Sequence, residues 1–231
     1  MFRDRKMAPE ALAEKMRRDW DRRARENYRY YIVNSQTEWS DEEFWLSGET
    51  TVSQYVLTDM GNICQGRRPA DMKVLDFGCG AGRVTRALAK TFGAVCGVDI
   101  SGEMVSIAKR ALAPVSNVHL YQSNGSDLNV LQGELFDFAF AFSVFHHIPS
   151  RAAITDCIAA VGSHLHAGDL FKFEVQGSLT FEAKEDDTWL GTPLSDADIL
   201  EIAEHSGFES RYRVGAHEES YWQWFFKRAS S

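Results

Sequence analysis

Between residues 73 and 227 the chain alternates two rhythms of apolar and polar positions. Short apolar runs at Lys73-Val74-Leu75, Ala94–Asp99, Val118–Tyr121, Phe136–Phe142 and Leu170–Val175 barely alternate. That pattern marks strands buried on both faces of a parallel sheet. Helical segments separate them: one starting at Arg83, one from Gly102 to Leu112 behind a Ser101 cap, and one from the Ser150 cap to about Leu165. Ser195-Asp196-Ala197-Asp198 opens a last helix that Gly207 ends, and Phe208–Val214 and Tyr221–Lys227 read as two closing strands. The alternation predicts an α/β fold, a mostly parallel sheet with helices on both faces. Right-handed crossovers place every strand's carboxyl end on one edge, where ligands of such sheets bind.

Upstream, residues 8–30 read as a helix with Pro9 near its start and Leu12, Met16, Trp20 and Ala24 at helical spacing. Ser40-Asp41-Glu42-Glu43 is a capping box for a second helix, and Val52, Tyr55 and Val56 mark an apolar face directed toward the sheet. Gly66-Arg67-Arg68-Pro69 separates this leader from the nucleotide fold, which predicts a leader or lid over residues 1–69 and a sheet domain over 70–231.

The chemistry concentrates in Val74-Leu75-Asp76-Phe77-Gly78-Cys79-Gly80-Ala81-Gly82. A strand ends in an acid, and a turn nearly free of side chains leads into a helix. Glycine there lets the backbone bend sharply and lets a ligand lie against the main chain. Dinucleotide turns space their glycines G-x-G-x-x-G and seat pyrophosphate on the helix N-terminus. Here the spacing is G-x-G-x-G, and Asp76, two residues before the first glycine, would repel pyrophosphate but suits an ammonium group. Asp99 ends the second strand 21 residues after Gly78, where a carboxylate can accept both ribose hydroxyls.

The turn resembles motif I of class I S-adenosylmethionine-dependent methyltransferases, and the likeness extends over roughly residues 70–228. The third strand is followed by Asn124-Gly125-Ser126-Asp127-Leu128, and the fourth by Ser143-Val144-Phe145-His146-His147-Ile148-Pro149, with the family's x-His-apolar-Pro pattern at His147. The resemblance implies a Rossmann-like, mostly parallel seven-stranded sheet with an antiparallel C-terminal hairpin, and S-adenosyl-L-methionine as cofactor. It assigns cofactor contacts to Asp76, Phe77, Gly78, Cys79, Gly80, Gly82 and Asp99. Ile100 and Met104 would flank adenine, Asn124 with Gly125 would meet its amino group (Asp127 competes for that place), and Ser143 would lie beside the methionine part. Tyr31, in a leader that resembles those of bacterial small-molecule methyltransferases, would help to close the cleft. His147 and His146 are the candidate general bases. Adjacent side chains diverge, so at most one is expected to face the acceptor. Glu174, Gln176, Phe181 and Trp189 are candidates for the acceptor pocket.

Charge and composition narrow the partners. Net charge is −8, but the first 30 residues hold ten Lys or Arg against six acids, leaving −12 on the remainder. An acidic catalytic part argues against a nucleic-acid partner. No apolar run approaches the ~20 residues of a membrane span, and the N-terminus lacks a secretory apolar segment. Cys64, Cys79, Cys96 and Cys157 are scattered, so neither metal nor disulfide is expected. A cytoplasmic enzyme is the expectation, methylating oxygen or nitrogen of a small-molecule acceptor; no motif specifies the acceptor or an oligomeric state. The competing readings are a protein or nucleic-acid methyltransferase, a non-catalytic S-adenosylmethionine-binding regulator, and an NAD-linked oxidoreductase.

Overall fold

The computed structural model describes residues 7–177, 186–215 and 220–229. Seven strands form one sheet: β1 (Lys73–Phe77), β2 (Ala94–Asp99), β3 (Val118–Gln122), β4 (Phe136–Ala141), β5 (Leu165–Gln176), β6 (Phe208–Val214) and β7 (Ser220–Lys227). Their order is β3-β2-β1-β4-β5-β7-β6. The first five are parallel, and β7 runs antiparallel between β5 and β6. The expected fold and C-terminal hairpin are therefore present. The strand order reverses between β1 and β4, which leaves a crevice at their carboxyl ends.

The unbroken apolar strands follow from burial on both faces. Leu75, Ala139 and Phe171 pack with Ile154 and Ile158 of α6 (Arg151–Gly162) and Ile199 of α7 (Asp196–His205). Val74, Phe138, Phe140 and Leu170 turn the other way, onto Val52 of α2 (Asp41–Tyr55), Ile63 of α3 (Met60–Cys64) and Val84 and Leu88 of α4 (Arg83–Leu88). Each predicted serine cap is made. Glu43 N donates to Ser40 Oγ while Glu43 Oε2 accepts from Ser40 N. Ser101 caps α5 (Gly102–Ala111).

Three boundaries differ from the sequence reading. β5 begins at Leu165, because Leu165 pairs with Phe136 before a register shift brings Leu170 opposite Phe138; the polar residues between them hide that first pairing. The helix before it stops at Gly162. The first helix, α1 (Pro9–Ile32), kinks at Asn27 (φ −167°, ψ 83°) and so carries Tyr31 and Ile32 over the glycine turn.

The leader is built into the sheet rather than laid upon it. Leu12 and Met16 of α1 belong to the main core. Asp21 accepts from Ser101 Oγ (2.7 Å) and from Glu103 N (3.2 Å) at the start of α5. Buried Lys172 of β5 donates to Tyr55 O and Asp59 Oδ2 at 2.6 and 2.8 Å. Arg67 ties Asp137 to Asp169. These contacts cross the expected boundary at residue 69.

Candidate active site

At the crevice, a cleft of about 990 Å³, counting its open mouth, is walled by the glycine turn, the ends of β1, β2 and β4, and α1. The turn is fixed first. Gly78 and Cys79 N–H both donate to Val98 O, at 2.8 and 2.9 Å, folding the turn onto β2. Gly78 has φ +74°, and a Cβ there would stand 2.3 Å from Val144 Cγ2, so both conformation and space require glycine. Gly82 supports the turn from behind: it precedes α4 and packs against Leu112 and Ala108 rather than walling the cleft.

Both strand-end acids reach the cleft. Asp76 is 2% exposed and accepts from Thr85 Oγ1 at 2.5 Å. Burial pushes its carboxyl up to about 7. Asp99 accepts from Gly80 N and Ser101 N, both at 2.8 Å, and burial pushes it up to about 6. Among the described residues neither forms an ion pair. The cleft thus presents two carboxylates whose ionised forms need a ligand cation or hydroxyl groups.

Beyond Asp99 the wall is an apolar slot of Ile100, Met104, Gly125, Ile148 and Cys157, with Ser123 at its end. Gly125 has φ +82°, and a Cβ there would meet Ile100 Cδ1 at 2.3 Å. Asn124 is not on this wall. It is exposed, its Oδ1 accepts from Ser126 N and Asp127 N at 2.9 Å, and its Nδ2 donates to Asp127 Oδ2 at 2.8 Å. Asn124 and Asp127 are spent on one another in a local turn, and Ser123, one residue earlier, takes the wall position.

The two histidines diverge as expected. His147 lines the cleft, whereas His146 does not; His146 Nδ1 stands 3.9 Å from Glu174 Oε2. Glu174 also accepts from Ser220 Oγ at 2.9 Å and from Ser143 Oγ at 3.4 Å. His147 Nδ1 lies 2.6 Å from Trp189 O. A carbonyl only accepts, so Nδ1 carries the proton and Nε2 keeps the lone pair. Burial drives the His147 pKa down to about 4. The ring is neutral at pH 7 but matches the operating pH poorly as a base.

α1 closes the mouth. The Trp20 and Trp189 rings each lie 5.0 Å from His147, and Tyr31 packs on Trp189. Arg23, buried, lies over both tryptophans and donates to Thr188 O at 3.0 Å and Thr188 Oγ1 at 3.1 Å. Thr188 Oγ1 in turn donates to Asp19 Oδ2 at 2.8 Å. Phe77, Cys79, Gly80, Tyr31 and Ser143 all line the cleft, so twelve of the fifteen candidates for cofactor contact and general base gather there. Buried Cys79 has its thiol pushed well above the ordinary range, which leaves it a packing residue. Phe181 lies outside the described residues. Trp20, Arg83, Ser123, Phe142 and Val144 line the cleft without having been singled out. Of these, Arg83 carried a signal, a cation in the first turn of a helix where the dipole disfavours it.

A glycine turn and two strand-end acids at the switch point of a β3-β2-β1-β4-β5-β7-β6 sheet define a class I methyltransferase fold. Residues 74–168 match the family model described as a methyltransferase domain. Two solved structures superpose over nearly the whole chain. Magnesium protoporphyrin IX methyltransferase from Synechocystis PCC 6803 with bound SAM gives a TM-score of 0.66 at 18% identity, covering 94% of this chain and 97% of that one. A S-adenosylmethionine-dependent methyltransferase from Clostridium acetobutylicum gives 0.64 at 16% identity, covering 90% and 99%. In sequence, a ubiquinone biosynthesis O-methyltransferase of Haemophilus ducreyi is 30% identical over 94 residues, 38% of this chain and 40% of that protein. The Colwellia psychrerythraea protein of the same name is 25% identical over 123 residues, 53% and 49%. The chain thus spans about two fifths to one half of the length of these curated relatives. Among the described residues no helix is long and apolar enough to cross a membrane.

Proposed function

We propose that this chain is an S-adenosylmethionine-dependent methyltransferase that methylates an oxygen or nitrogen of a small-molecule acceptor. The reading rests on one observation: two desolvated carboxylates and a side-chain-free turn share a cleft that continues into an apolar slot. These residues fit the cofactor. Asp99 would take the ribose hydroxyls, Asp76 the ammonium, and Ile100, Met104, Ser123 and Gly125 the adenine. When bound, S-adenosylmethionine supplies an electrophilic methyl carbon.

The protein's part is orientation and exclusion of water. Fixed alignment of reacting groups is worth roughly 7–11 kcal/mol of barrier in favourable cases. Trp20, Tyr31 and Ile32 cover the cleft, and Arg23 with Thr188 fastens the cover. His147 is a positioning residue here: its ring joins Trp20 to Trp189, and Nε2 is free to accept a hydrogen bond. The O-methyltransferase names of the curated relatives support oxygen as an acceptor atom.

Calorimetry with S-adenosylmethionine, S-adenosylhomocysteine and NAD tests the cofactor, and a methyl-release assay with metabolite extracts then tests turnover. Binding of the first two and not of NAD is expected. Preference for NAD, or no affinity for either adenosyl compound, would overturn the reading.

A further inference from the structure

Glu174, near the carboxyl end of β5, is a carboxylate taken out of water with no cation to meet it. Its side chain is 12% exposed. Oε1 accepts from Ser220 Oγ at 2.9 Å and Oε2 from Ser143 Oγ at 3.4 Å. Among the described residues no lysine or arginine pairs with it. Lys172, two residues earlier on the same face of β5, bonds to Asp59 instead. His146 Nδ1 stands 3.9 Å away, but burial holds that imidazole below its ordinary pKa, so it is mostly neutral at pH 7.

The neighbourhood offers acceptors and aromatic walls. Gln176, the next residue on that face, has its Oε1 shut off from solvent with no donor. Trp222 is the register partner of Glu174 on β7. Tyr55, at the end of α2, lies 4.5 Å from the Trp222 ring and 5.7 Å from Phe142. Burial, and after it the charge of Glu174, raise the Tyr55 pKa, so the phenol feels that carboxylate. Ser143 lines the cleft, which places Glu174 one hydrogen bond away from it.

Two neutral hydroxyls offset only part of the cost of desolvating a carboxylate. Oxygens that only accept suit a group that only donates, and an ammonium has three donors and no acceptor. Aromatic walls favour a cation further.

We propose that Glu174 binds an ammonium group of the methyl acceptor. The inference deepens the proposed function and rests on it, since it narrows the acceptor to amine-bearing molecules. The cofactor's sulfonium is the other cation that a carboxylate here would attract, and the test separates the two.

Each amine is paired with the alcohol of the same skeleton: phenethylamine with 2-phenylethanol, and tryptamine with tryptophol. Each is titrated into the unaltered protein and into Glu174→Gln at fixed ionic strength, with and without S-adenosylhomocysteine. The rise in melting temperature gives the affinity. Glutamine keeps an oxygen for Ser143 and Ser220 and loses only the charge. A charge-assisted hydrogen bond is worth roughly 10- to 150-fold in affinity, the equivalent of about 1.5–3 kcal/mol. At least one amine should bind the unaltered protein more tightly than its alcohol by about that factor, and Glu174→Gln should erase the preference. If neither amine outbinds its alcohol, the proposal is overturned, and that comparison needs no variant to fold. An amine preference that survives in Glu174→Gln overturns it too. S-adenosylmethionine and S-adenosylhomocysteine are then compared on both proteins. Glu174→Gln should affect them alike; a loss confined to S-adenosylmethionine would give Glu174 to the sulfonium and overturn the proposal. Failure of both adenosyl compounds to bind would count against the proposed function, and the amine arm without cofactor would still decide Glu174.

Discussion

Gly78→Ala probes the contact that shapes the cleft, and Gly133→Ala provides its control. Both glycines are left-handed, at φ +74° and +78°. A Cβ on residue 78 would lie 2.3 Å from Val144 Cγ2 and 2.8 Å from Val144 Cγ1, whereas on residue 133 it would meet nothing within 4 Å. Both variants bear the left-handed strain of about 1–2 kcal/mol. Both regain about 0.4–1 kcal/mol from the reduced freedom of the unfolded chain. Only Gly78→Ala adds overpacking, at about 1–3 kcal/mol. At this chain length 1 kcal/mol moves the melting temperature by about 2–4 °C. Gly78→Ala should therefore melt about 2–12 °C below Gly133→Ala. Val144→Ala removes both clashing methyl groups, so adding it to Gly78→Ala should recover most of that gap. The assay is chemical and thermal denaturation of the four proteins and the double variant, read as a double-mutant cycle. Equal melting of the two glycine variants, or a coupling energy between residues 78 and 144 near zero, would refute the packing assigned to the turn.

The carboxyl of Asp76 sits near 7 in the folded protein against 3.8 ordinarily. The native state therefore binds more protons between about pH 4 and 7, and Asp76 removes stability as pH rises through that window. Urea unfolding of the wild type and Asp76→Asn at pH 5 and pH 8 should show the variant gaining on the wild type, by at most about 3 kcal/mol; a constant difference would sink this. His147 and His146, both held low by burial, act in the opposite direction, which is why the difference between proteins is the quantity to follow. His147→Ala should lower turnover several-fold yet leave the shape of the pH–rate profile between pH 6 and 8 unchanged, since this imidazole titrates near 4. Loss of a limb near neutrality would restore it as the base. Arg23→Met removes two charge-assisted donors to Thr188, each worth about 1.5–3 kcal/mol. Amide exchange over residues 186–194 should rise at least tenfold and cofactor affinity should fall, and unchanged exchange would dispose of the latch.

The sheet was legible because β1, β2 and β4 are buried on both faces, so the unbroken apolar runs had one good explanation. Caps were legible because Ser40 with Glu43, and Ser195 with Asp198, bond within four residues. What sequence reading lost depends on distant partners. The kink at Asn27 places Tyr31 and Ile32 through tertiary packing. Arg83 showed only as a cation in a helix's first turn; its burial depends on Ser47 and Thr51 of α2, more than thirty residues upstream. Asn124 rather than Ser123 was assigned to the wall because a one-residue offset in a loop leaves no periodic trace. The choice between His146 and His147 was made by the Trp189 carbonyl, 42 residues further on. The leader looked separable because Gly66-Arg67-Arg68-Pro69 reads as a connecting loop, but Leu12 and Met16 belong to the main core.

Buried charge elsewhere in the molecule shows what the cleft lacks. Lys172 is matched by Asp59, and Arg67 by both Asp137 and Asp169. Lys172, brought out of water, is met by an anion within the chain, and half-buried Arg67 by two, whereas buried Arg23 at the cover has only the oxygens of Thr188. At the cleft, among the described residues, the hydrogen-bond partners of Asp76, Asp99 and Arg83 are all neutral. Three unmatched charges in one place are unfavourable for folding alone, and the shifts of both acids toward the protonated form register that cost. On the proposed function the arrangement becomes favourable when a ligand brings an ammonium for Asp76 and hydroxyls for Asp99. Binding energy is then drawn from desolvation already incurred in folding, so the ligand meets oriented charges rather than solvated ones.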